Sequence, residues 1–379
     1  MAYTTIDDSS EHFQVAKWAG NSQGDSVASR TITNDGNSDL QPDMLWTIPT
    51  DIDSYNWIYD STRGFLGSKA VTPAYDWAQS SAPNTGGYPS AATSDGFTVV
   101  KGSSGTVATE YVNQAAHQNG TTSGHATSYV AYQWKANGGT TSNLSANIDS
   151  VVQANTTSGV SIVTYTGNGS VGQSIAHGLG VIPAWILVKR LDGTADWFVY
   201  HQSTGNTTHM HLNTTANLAT TSDWGNYGPN ANYFYVNNTG PNVNTDEYVA
   251  YCFAEIQGFS KFGIYEGIAA ANGPFIYTGF KPAWVMVKNI DNGGYNWALI
   301  DHKRTPFNGE GVAKWFWPDL ADKEFTDTQS GIDMDMDLLS NGFKITTARA
   351  ELNLASTFIY MAFAESPFVT SDGVPVTGR

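Results

Sequence analysis

Short runs of apolar and aromatic residues, separated by turns rich in Gly, Asn, Asp and Ser, recur along the whole chain. Two runs are nearly identical, since residues 183–189 read PAWILVK and residues 282–288 read PAWVMVK. Each run begins at a proline and leads into an Asp-Gly or Asp-Asn-Gly turn, after which a second aromatic run follows. This pattern predicts pairs of short strands joined by tight turns.

Four landmarks occur three times in the same order, which indicates an internal repeat. They are an opening aromatic strand, the proline-led strand pair, a strand centred on a phenylalanine, and a closing strand. The phenylalanines are Phe97, Phe234 and Phe343, and the closing strands read YVAYQW at 129–134, YVAYCF at 248–253 and FIYMAF at 358–363. We therefore expect the second and third copies to superpose, with Trp185 on Trp284.

The repeat divides the chain into three units, each predicted to form a β-domain. We expect an N-terminal arm at 1–10, unit 1 at 11–137 with a loop insertion at 61–95, a linker at 138–158, unit 2 at 159–258, unit 3 at 259–366 and a C-terminal tail at 367–379. Units of roughly 100 residues with many short strands suit an all-β fold of tandem β-sandwich or jelly-roll-like domains.

Composition supports an all-β fold and excludes several partners. Only 14% of the 379 residues are charged and 13% are aromatic, so Ser, Thr, Asn and Gln must form most of the polar surface. The net charge is −16 without any run of Lys or Arg, which argues against a nucleic-acid partner. No stretch approaches the ~20 apolar residues of a spanning helix, so we expect no membrane insertion. The first residues lack the pattern of a signal peptide.

Two groups of side chains could bind a metal ion. His209 and His211 stand at alternate positions of a predicted strand, so their imidazoles would point to the same side. Asp333, Asp335 and Asp337 alternate in the same way and could hold Ca²⁺, although the EF-hand pattern is absent. For both groups the alternative, a polar strand face in contact with solvent, is favoured. No other cofactor is expected.

An aromatic pair in unit 3 offers a candidate carbohydrate site. Trp315 and Trp317 are two residues apart, which places both rings on one face of a strand. An exposed pair could stack on a sugar ring, with Asn308 or Asp319 bonding the sugar hydroxyls. The favoured alternative is that the pair covers the core of unit 3 or a subunit interface.

No catalytic motif stands out in the sequence. A nucleophile elbow, a phosphate loop, a dinucleotide fingerprint and a zinc motif are all missing. Glu255 and Glu365 follow the closing strands of units 2 and 3 at the same place, and a repeated residue is more typical of the fold than of catalysis. We expect that the protein is not an enzyme, with glycan cleavage by paired carboxylates as the alternative.

Several longer phrases resemble a family of repeat proteins encoded by tailed bacteriophages, abundant among marine ones. The phrases read TNDGNSDLQP at 33–42, VQANTTSG at 152–159, IVTYTGNG at 162–169, AHGLG at 176–180, FAEIQGFSKFG at 253–263 and YTGFKPAW at 277–284. They are spread over nearly the whole chain. The resemblance implies a virion protein, often labelled tail-fibre-like, and it supplies no catalytic residues.

The leading hypothesis is a bacteriophage virion structural protein, either a tail fibre or a tail-tip adhesin that contacts the host surface. A head decoration or head-fibre protein is the structural alternative, and a polysaccharide depolymerase is the enzymatic one. We expect a virion location after assembly in the host cytoplasm, with other virion proteins and a host surface glycan as partners. We also expect a homo-oligomer, with a trimer as the first choice. Receptor contacts are expected in loops 201–230 and 304–330.

Overall fold

The computed structural model shows a chain built almost entirely of antiparallel strands, which confirms the all-β prediction. It describes residues 3–21, 28–104, 110–114, 127–136, 139–143, 145–225, 227–309, 311–326 and 334–376. The helices in these ranges are the α-helices Pro83–Gly86 and Ala350–Asn353 and the 3₁₀ turns Ser9–Glu11, Gly67–Lys69 and Gly240–Asn242. No helix in the described ranges is long and apolar enough to cross a membrane.

Unit 1 forms a larger and a smaller sheet. Its strands are β1 (Phe13–Ala19), β2 (Ser29–Ile32), β3 (Met44–Pro49), β4 (Trp57–Asp60), β5 (Tyr88–Thr93), β6 (Gly96–Val100) and β7 (Ser128–Trp134). The larger sheet has the order β1-β7-β3-β4, and the smaller one has the order β2-β6-β5.

Unit 2 has the widest sheet. Its strands are β8 (Thr141–Asn143), β9 (Ser150–Asn155), β10 (Val160–Thr166), β11 (Gln173–Ala176), β12 (Trp185–Arg190), β13 (Phe198–His201), β14 (Thr208–His211), β15 (Ala219–Thr220), β16 (Tyr233–Val236) and β17 (Glu247–Phe253). The large sheet runs β15-β14-β13-β12-β17-β10-β9-β8, and β11 pairs with β16. The linker predicted at 138–158 is therefore wrong, because this segment supplies β8 and β9 to the sheet.

Unit 3 follows unit 2 without a spacer. Its strands are β18 (Ser260–Glu266), β19 (Phe275–Tyr277), β20 (Phe280–Asn289), β21 (Ala298–Asp301), β22 (Lys314–Phe316), β23 (Phe325–Thr326), β24 (Met336–Leu339), β25 (Gly342–Ile345) and β26 (Thr357–Pro367). The larger sheet runs β18-β26-β20-β21-β22-β23, and the smaller one runs β19-β25-β24.

The pairing of the landmark strands is the same in the three units. The order opening, closing, proline-led and partner strand is found as β1-β7-β3-β4, as β10-β17-β12-β13 and as β18-β26-β20-β21. In each smaller sheet an isoleucine lies opposite the landmark phenylalanine, as Ile32–Phe97, Ile175–Phe234 and Ile276–Phe343. These pairings agree with the landmark order in the sequence. The origin of the units from one repeated segment stays a prediction.

The closing strands have two buried faces, which explains why they read as continuous apolar runs. In β17, Tyr248 and Cys252 face the smaller sheet of unit 2, whereas Tyr251 and Phe253 face a core that the three units share. We call the core between the larger and the smaller sheet of one unit its peripheral core. In β7, Tyr129 likewise belongs to the peripheral core of unit 1. The peripheral core of unit 3 is continuous with the shared core.

The shared core is built from aromatic rings of all three units. Phe363 of unit 3 stacks on Phe13 of unit 1, with ring centroids 5.1 Å apart, and lies 5.6 Å from Trp134 of the same unit. It lies 5.9 Å from Phe253 of unit 2. Trp284 of unit 3 lies 5.9 Å from Trp134. The larger sheets of the units therefore pack against one another directly, and a common core replaces flexible connections.

Hydrogen bonds between the units close them into a ring. In each case a side-chain N–H of one unit donates to a main-chain carbonyl oxygen of another. The pairs are Trp197 of unit 2 to Thr72 of unit 1 (2.8 Å), Trp297 of unit 3 to His211 of unit 2 (3.1 Å) and Asn56 of unit 1 to Pro318 of unit 3 (3.1 Å). A segment beyond the partner strand of each unit thus contacts a neighbouring unit.

The described parts of the N-terminal arm and the C-terminal tail pack on unit 3. Tyr3 donates its hydroxyl to the carbonyl of Gly279 (2.8 Å), and Ile6 is 3% exposed within the shared core. Ser371 of the tail donates its main-chain N–H to Asp7 (2.6 Å). The arm, which carries no fold signal in the sequence, is thus part of the folded structure.

Truncation of Phe363 should destabilise all three units together. Phe363→Ala opens a cavity bordered by every unit, and we expect the free energy of unfolding to fall by about 3–5 kcal/mol. Cys252 is the single cysteine and is fully buried in unit 2. Its reaction with a thiol reagent across a urea gradient therefore reports whether a change in unit 3 opens unit 2.

Phe275→Ala is the matched control, because Phe275 is a 46% exposed phenylalanine of the same unit. It should leave the urea midpoint of Cys252 labelling unchanged. Loss of structure in the Phe363→Ala variant while Cys252 remains protected would show that the units are independent domains.

Candidate functional site

The insertion of unit 1 exposes a cluster of aromatic rings on the surface. The rings of Tyr75 and Trp77 are stacked, with centroids 4.6 Å apart and an interplanar angle of 12°. Tyr55 packs against both, at 5.6 and 5.2 Å. Tyr75 is 37% exposed and Trp77 is 36% exposed, so their rings remain accessible to a ligand. We call Tyr55, Tyr75 and Trp77 the aromatic platform.

The platform rests on the peripheral core of unit 1. Tyr55 contacts Trp57 with ring centroids 5.8 Å apart, and Trp57 is fully buried in that core. Upstream of the platform, Thr72 accepts the main-chain N–H of Ala74 on its hydroxyl (3.2 Å), which fixes the turn that leads into Tyr75. Tyr55 therefore connects the two exposed rings to the core of unit 1.

A buried lysine of unit 2 holds the same segment from the other side. Lys189 donates from Nζ to the carbonyl oxygens of Asp76 (3.2 Å), Arg190 (3.0 Å) and Ala195 (2.8 Å). Ala195 also donates its N–H to the carbonyl of Asp76 (2.8 Å). Burial lowers the pKa of Lys189 to about 8, against the pull of nearby carboxylates. The residue between the two stacked rings is thus fixed to unit 2.

Stacked, half-exposed rings provide a flat apolar surface with polar groups beside it. Ser54 is buried and bonds Glu110 (3.3 Å), whereas Asp76, between the two stacked rings, is partly exposed. A sugar ring presents C–H groups on its face and hydroxyls at its edge, which matches such a surface. Ring stacking contributes about 0.5–1.5 kcal/mol beyond the burial of area. The platform is therefore suited to weak binding of a carbohydrate.

The carbohydrate site predicted in unit 3 is not exposed. Trp315 is fully buried and Trp317 is 8% exposed, so the expectation of an accessible pair is wrong. Trp315 donates from Nε1 to the carbonyl of Met334 (3.0 Å), and Trp317 packs on Phe325 with centroids 4.6 Å apart. Both rings cover the core of unit 3, which is the alternative that the sequence favoured.

The polar partners expected beside that pair also have structural contacts. Asp319 is 3% exposed and accepts the main-chain N–H of Trp297 (3.1 Å). Burial raises the pKa of Asp319 to about 7, although Lys288 and main-chain N–H groups oppose the shift. Asn308 is exposed, but its side-chain amide bonds the main chain of Leu338 in both directions (3.0 and 2.9 Å). Neither residue faces an accessible tryptophan.

His209 and His211 lie side by side, with ring centroids 4.5 Å apart. Each is engaged through Nδ1 with a carboxylate, His209 with Asp223 (2.5 Å) and His211 with Asp196 (3.3 Å). Burial lowers the pKa of His211, and Asp196 opposes that shift. His201 lies on the neighbouring strand β13, where its ring packs against Trp185 in the shared core.

The acidic triplet is only partly described. Asp333 lies outside the described residues. Asp335 is 6% exposed and accepts the N–H of Met336 (2.9 Å), so the solvated position expected for it is wrong. Asp337 is half-buried in β24. In the described ranges, no group of three or more His, Cys, Asp or Glu side chains is placed to hold a metal ion.

The carboxylates that follow the closing strands are ion-paired. Glu255 bonds Lys261 (2.5 Å), and Glu365 bonds both Lys281 (2.7 Å) and His302 (3.0 Å). Burial favours a higher pKa for Glu365, but His302 and Lys281 outweigh it and lower the pKa to about 2. A carboxylate that stays ionised in this way is unsuited to donate a proton in glycan cleavage.

The sequence contains a signal for the platform that belongs to no known motif. Tyr75 and Trp77 have the same two-residue spacing as Trp315 and Trp317, and they lie in the Ser-, Gly- and Pro-rich insertion. The distinction between the two pairs is burial. The strand around Trp315 is covered on both faces, whereas the segment around Trp77 runs over the surface.

A comparison with protein-family models matches residues 8–367 to a family described as a domain of unknown function (DUF7483). No curated protein and no solved structure shows a significant similarity to the chain.

Removal of the lysine anchor should loosen the platform. Lys189→Met keeps the length of the side chain but removes the donor to three carbonyl groups, so docking of the insertion should weaken by about 1–3 kcal/mol. Limited proteolysis of residues 70–80 should accelerate while the rest of the chain resists cleavage.

Lys288→Met provides the matched control, because Lys288 is equally buried and its Nζ bonds the carbonyl of Tyr295 (2.8 Å) in unit 3. It should leave cleavage of the insertion unchanged. Equal cleavage rates in the two variants would contradict an anchoring role for Lys189.

Proposed function

The chain belongs to the DUF7483 family, and we propose that it serves as a glycan-binding structural protein of a bacteriophage virion, a tail fibre or tail-tip adhesin. The virion assignment is supported by the phrases that resemble repeat proteins of tailed phages. The adhesive role is supported by the aromatic platform. Its stacked rings are exposed on a segment that two units hold in place.

The architecture suits a structural component that must hold its shape. The three larger sheets share one aromatic core, and the loops of neighbouring units are bonded together. An adhesin transmits load from the surface it binds to the particle, so a body without flexible joints is an advantage. A head decoration protein would need the same rigidity, and it is the alternative position in the particle.

The platform offers one weak site per chain, so useful adhesion requires several copies. A homo-oligomer, with a trimer as the first expectation, would present several platforms to one surface. Linked weak sites gain effective concentration and can hold a cell although a single site dissociates rapidly. The proposed ligand is a host surface glycan, because its repeating units allow every copy to bind at once.

Truncation of Trp77 should abolish adhesion without unfolding the protein. Trp77→Ala removes half of the stacked pair, and the loss of stacking and buried area should weaken a single site by about tenfold. Binding of fluorescently labelled protein to host cells, measured by flow cytometry, reports the loss. The ring is 36% exposed, so the melting temperature should change little.

Phe275→Ala is the control, because Phe275 is a 46% exposed aromatic residue that lies outside the platform and outside loops 201–230 and 304–330. It should bind host cells as the wild type does. Unchanged adhesion of the Trp77→Ala variant would contradict the proposed function. Antibody labelling of the virion in electron micrographs distinguishes the tail from the head.

A further inference from the structure

A polar cleft lies beside the platform, between the unit 1 insertion and the sheet of unit 2. Its volume is about 470 Å³, enough for a few sugar rings. Thr62 and Lys69 line it from the insertion side, and Asp149, Thr166 and Glu247 line it from unit 2. The cleft is open to solvent at the edge of the two units.

Strand register places the acidic side chains in one row. Thr166 lies opposite Glu247 across β10 and β17, and Tyr165 lies opposite Ser150 across β10 and β9. Asp149, directly before Ser150, therefore flanks Thr166 on its other side. With strands ~4.8 Å apart, the backbones of Glu247 and Asp149 are about 10 Å apart. A ligand in the cleft would lie between two carboxylates with a hydroxyl at the centre.

The charged groups of the cleft are free to bind a ligand. Within the described ranges, the side chains of Lys69, Asp149 and Glu247 have no hydrogen-bond or ion-pair partner. Arg63 also lines the cleft, but it is committed to an ion pair with Asp60 (2.6 Å). The cleft thus combines hydrogen-bond acceptors on the carboxylates, a donor on the ammonium group and hydroxyls that can act as either.

Charge determines which class of ligand the cleft can hold. Two carboxylates and one ammonium group leave an excess of negative charge, on a chain whose net charge is −16. Acidic polysaccharides and phosphate groups would be repelled. A neutral glycan fits, because carboxylates accept hydrogen bonds from sugar hydroxyls and such bonds are stronger than those between neutral groups.

The cleft and the platform adjoin along one segment. Asp76 is bonded to Ala195, and three residues farther along the insertion Gln79 donates its N–H to the carbonyl of Leu191 (2.7 Å). Gln79 and Leu191 line the cleft. The insertion therefore places Trp77, one of the two stacked rings, two residues before Gln79, which lines the cleft.

We infer that the cleft is a second subsite, which binds the continuation of a neutral glycan chain stacked on the platform. This inference rests on the proposed function, and it names the ligand class as a neutral, hydroxyl-rich oligosaccharide. A glycan that reaches both places gains hydrogen bonds in addition to stacking. Affinity should therefore rise with chain length.

Isothermal titration with neutral disaccharides and hexasaccharides of glucose, mannose and N-acetylglucosamine tests this inference. For at least one sugar, the wild type should bind the hexasaccharide more tightly than the disaccharide. The double variant Asp149→Asn/Glu247→Gln should lose about tenfold in hexasaccharide affinity, because it replaces both charged acceptors, and should keep the disaccharide affinity. Trp77→Ala should weaken binding of both lengths.

Asp39→Asn is the matched control, since Asp39 is an exposed acid of unit 1 outside the cleft. It should bind like the wild type. Equal affinity for the two lengths overturns the subsite, and so does a double variant that binds the hexasaccharide as the wild type does. In either case the platform is preserved if Trp77→Ala loses affinity for the sugars. Hexasaccharide binding lost only in the double variant overturns the platform instead. A wild type that binds none of the sugars overturns both.

Discussion

The packing of one shared aromatic core is the constraint on which the rest of the structure depends. Phe363 contacts rings of units 1, 2 and 3, so each larger sheet must bury its inner face against the other two. Because the outer face of each larger sheet also covers a smaller sheet, its central strands are apolar on both sides. This explains a chain with few charges and many aromatic residues, in which the polar groups are left to loops and edges.

The shared core also determines where the loops can go. Sheets that meet at their inner faces bring a segment beyond each partner strand against a neighbouring unit, where buried donors such as Trp197, Asn56 and Lys189 bond carbonyl groups of that segment. In unit 1 this segment is the insertion. Anchored at Thr72 and Asp76, it extends to the surface and exposes Tyr75 and Trp77. The platform therefore depends on contacts between units.

The sequence predicts the all-β class and the strand pairs, because turn residues and apolar runs are local signals. The landmark order also places Phe234 and Phe343 at equivalent positions, and the structure pairs each of them with an isoleucine, Ile175 and Ile276. It does not predict that β8 joins the edge of the unit 2 sheet, because a short polar strand such as Thr141–Asn143 looks like part of a linker. Nor does it separate Trp315 from Trp77. Both pairs have strand-like spacing, and only tertiary packing decides which one is buried.

Amide hydrogen exchange of the native protein, followed by mass spectrometry, tests the shared core most directly. The closing strands β7, β17 and β26 each contribute to that core. If the core unfolds as one body, the slowest amides of the three strands should exchange with one common opening free energy, equal to that of global unfolding. A β7 that exchanges through a distinctly smaller opening free energy than β26 would contradict the account, because unit 1 would then open while the rest of the protein stays folded.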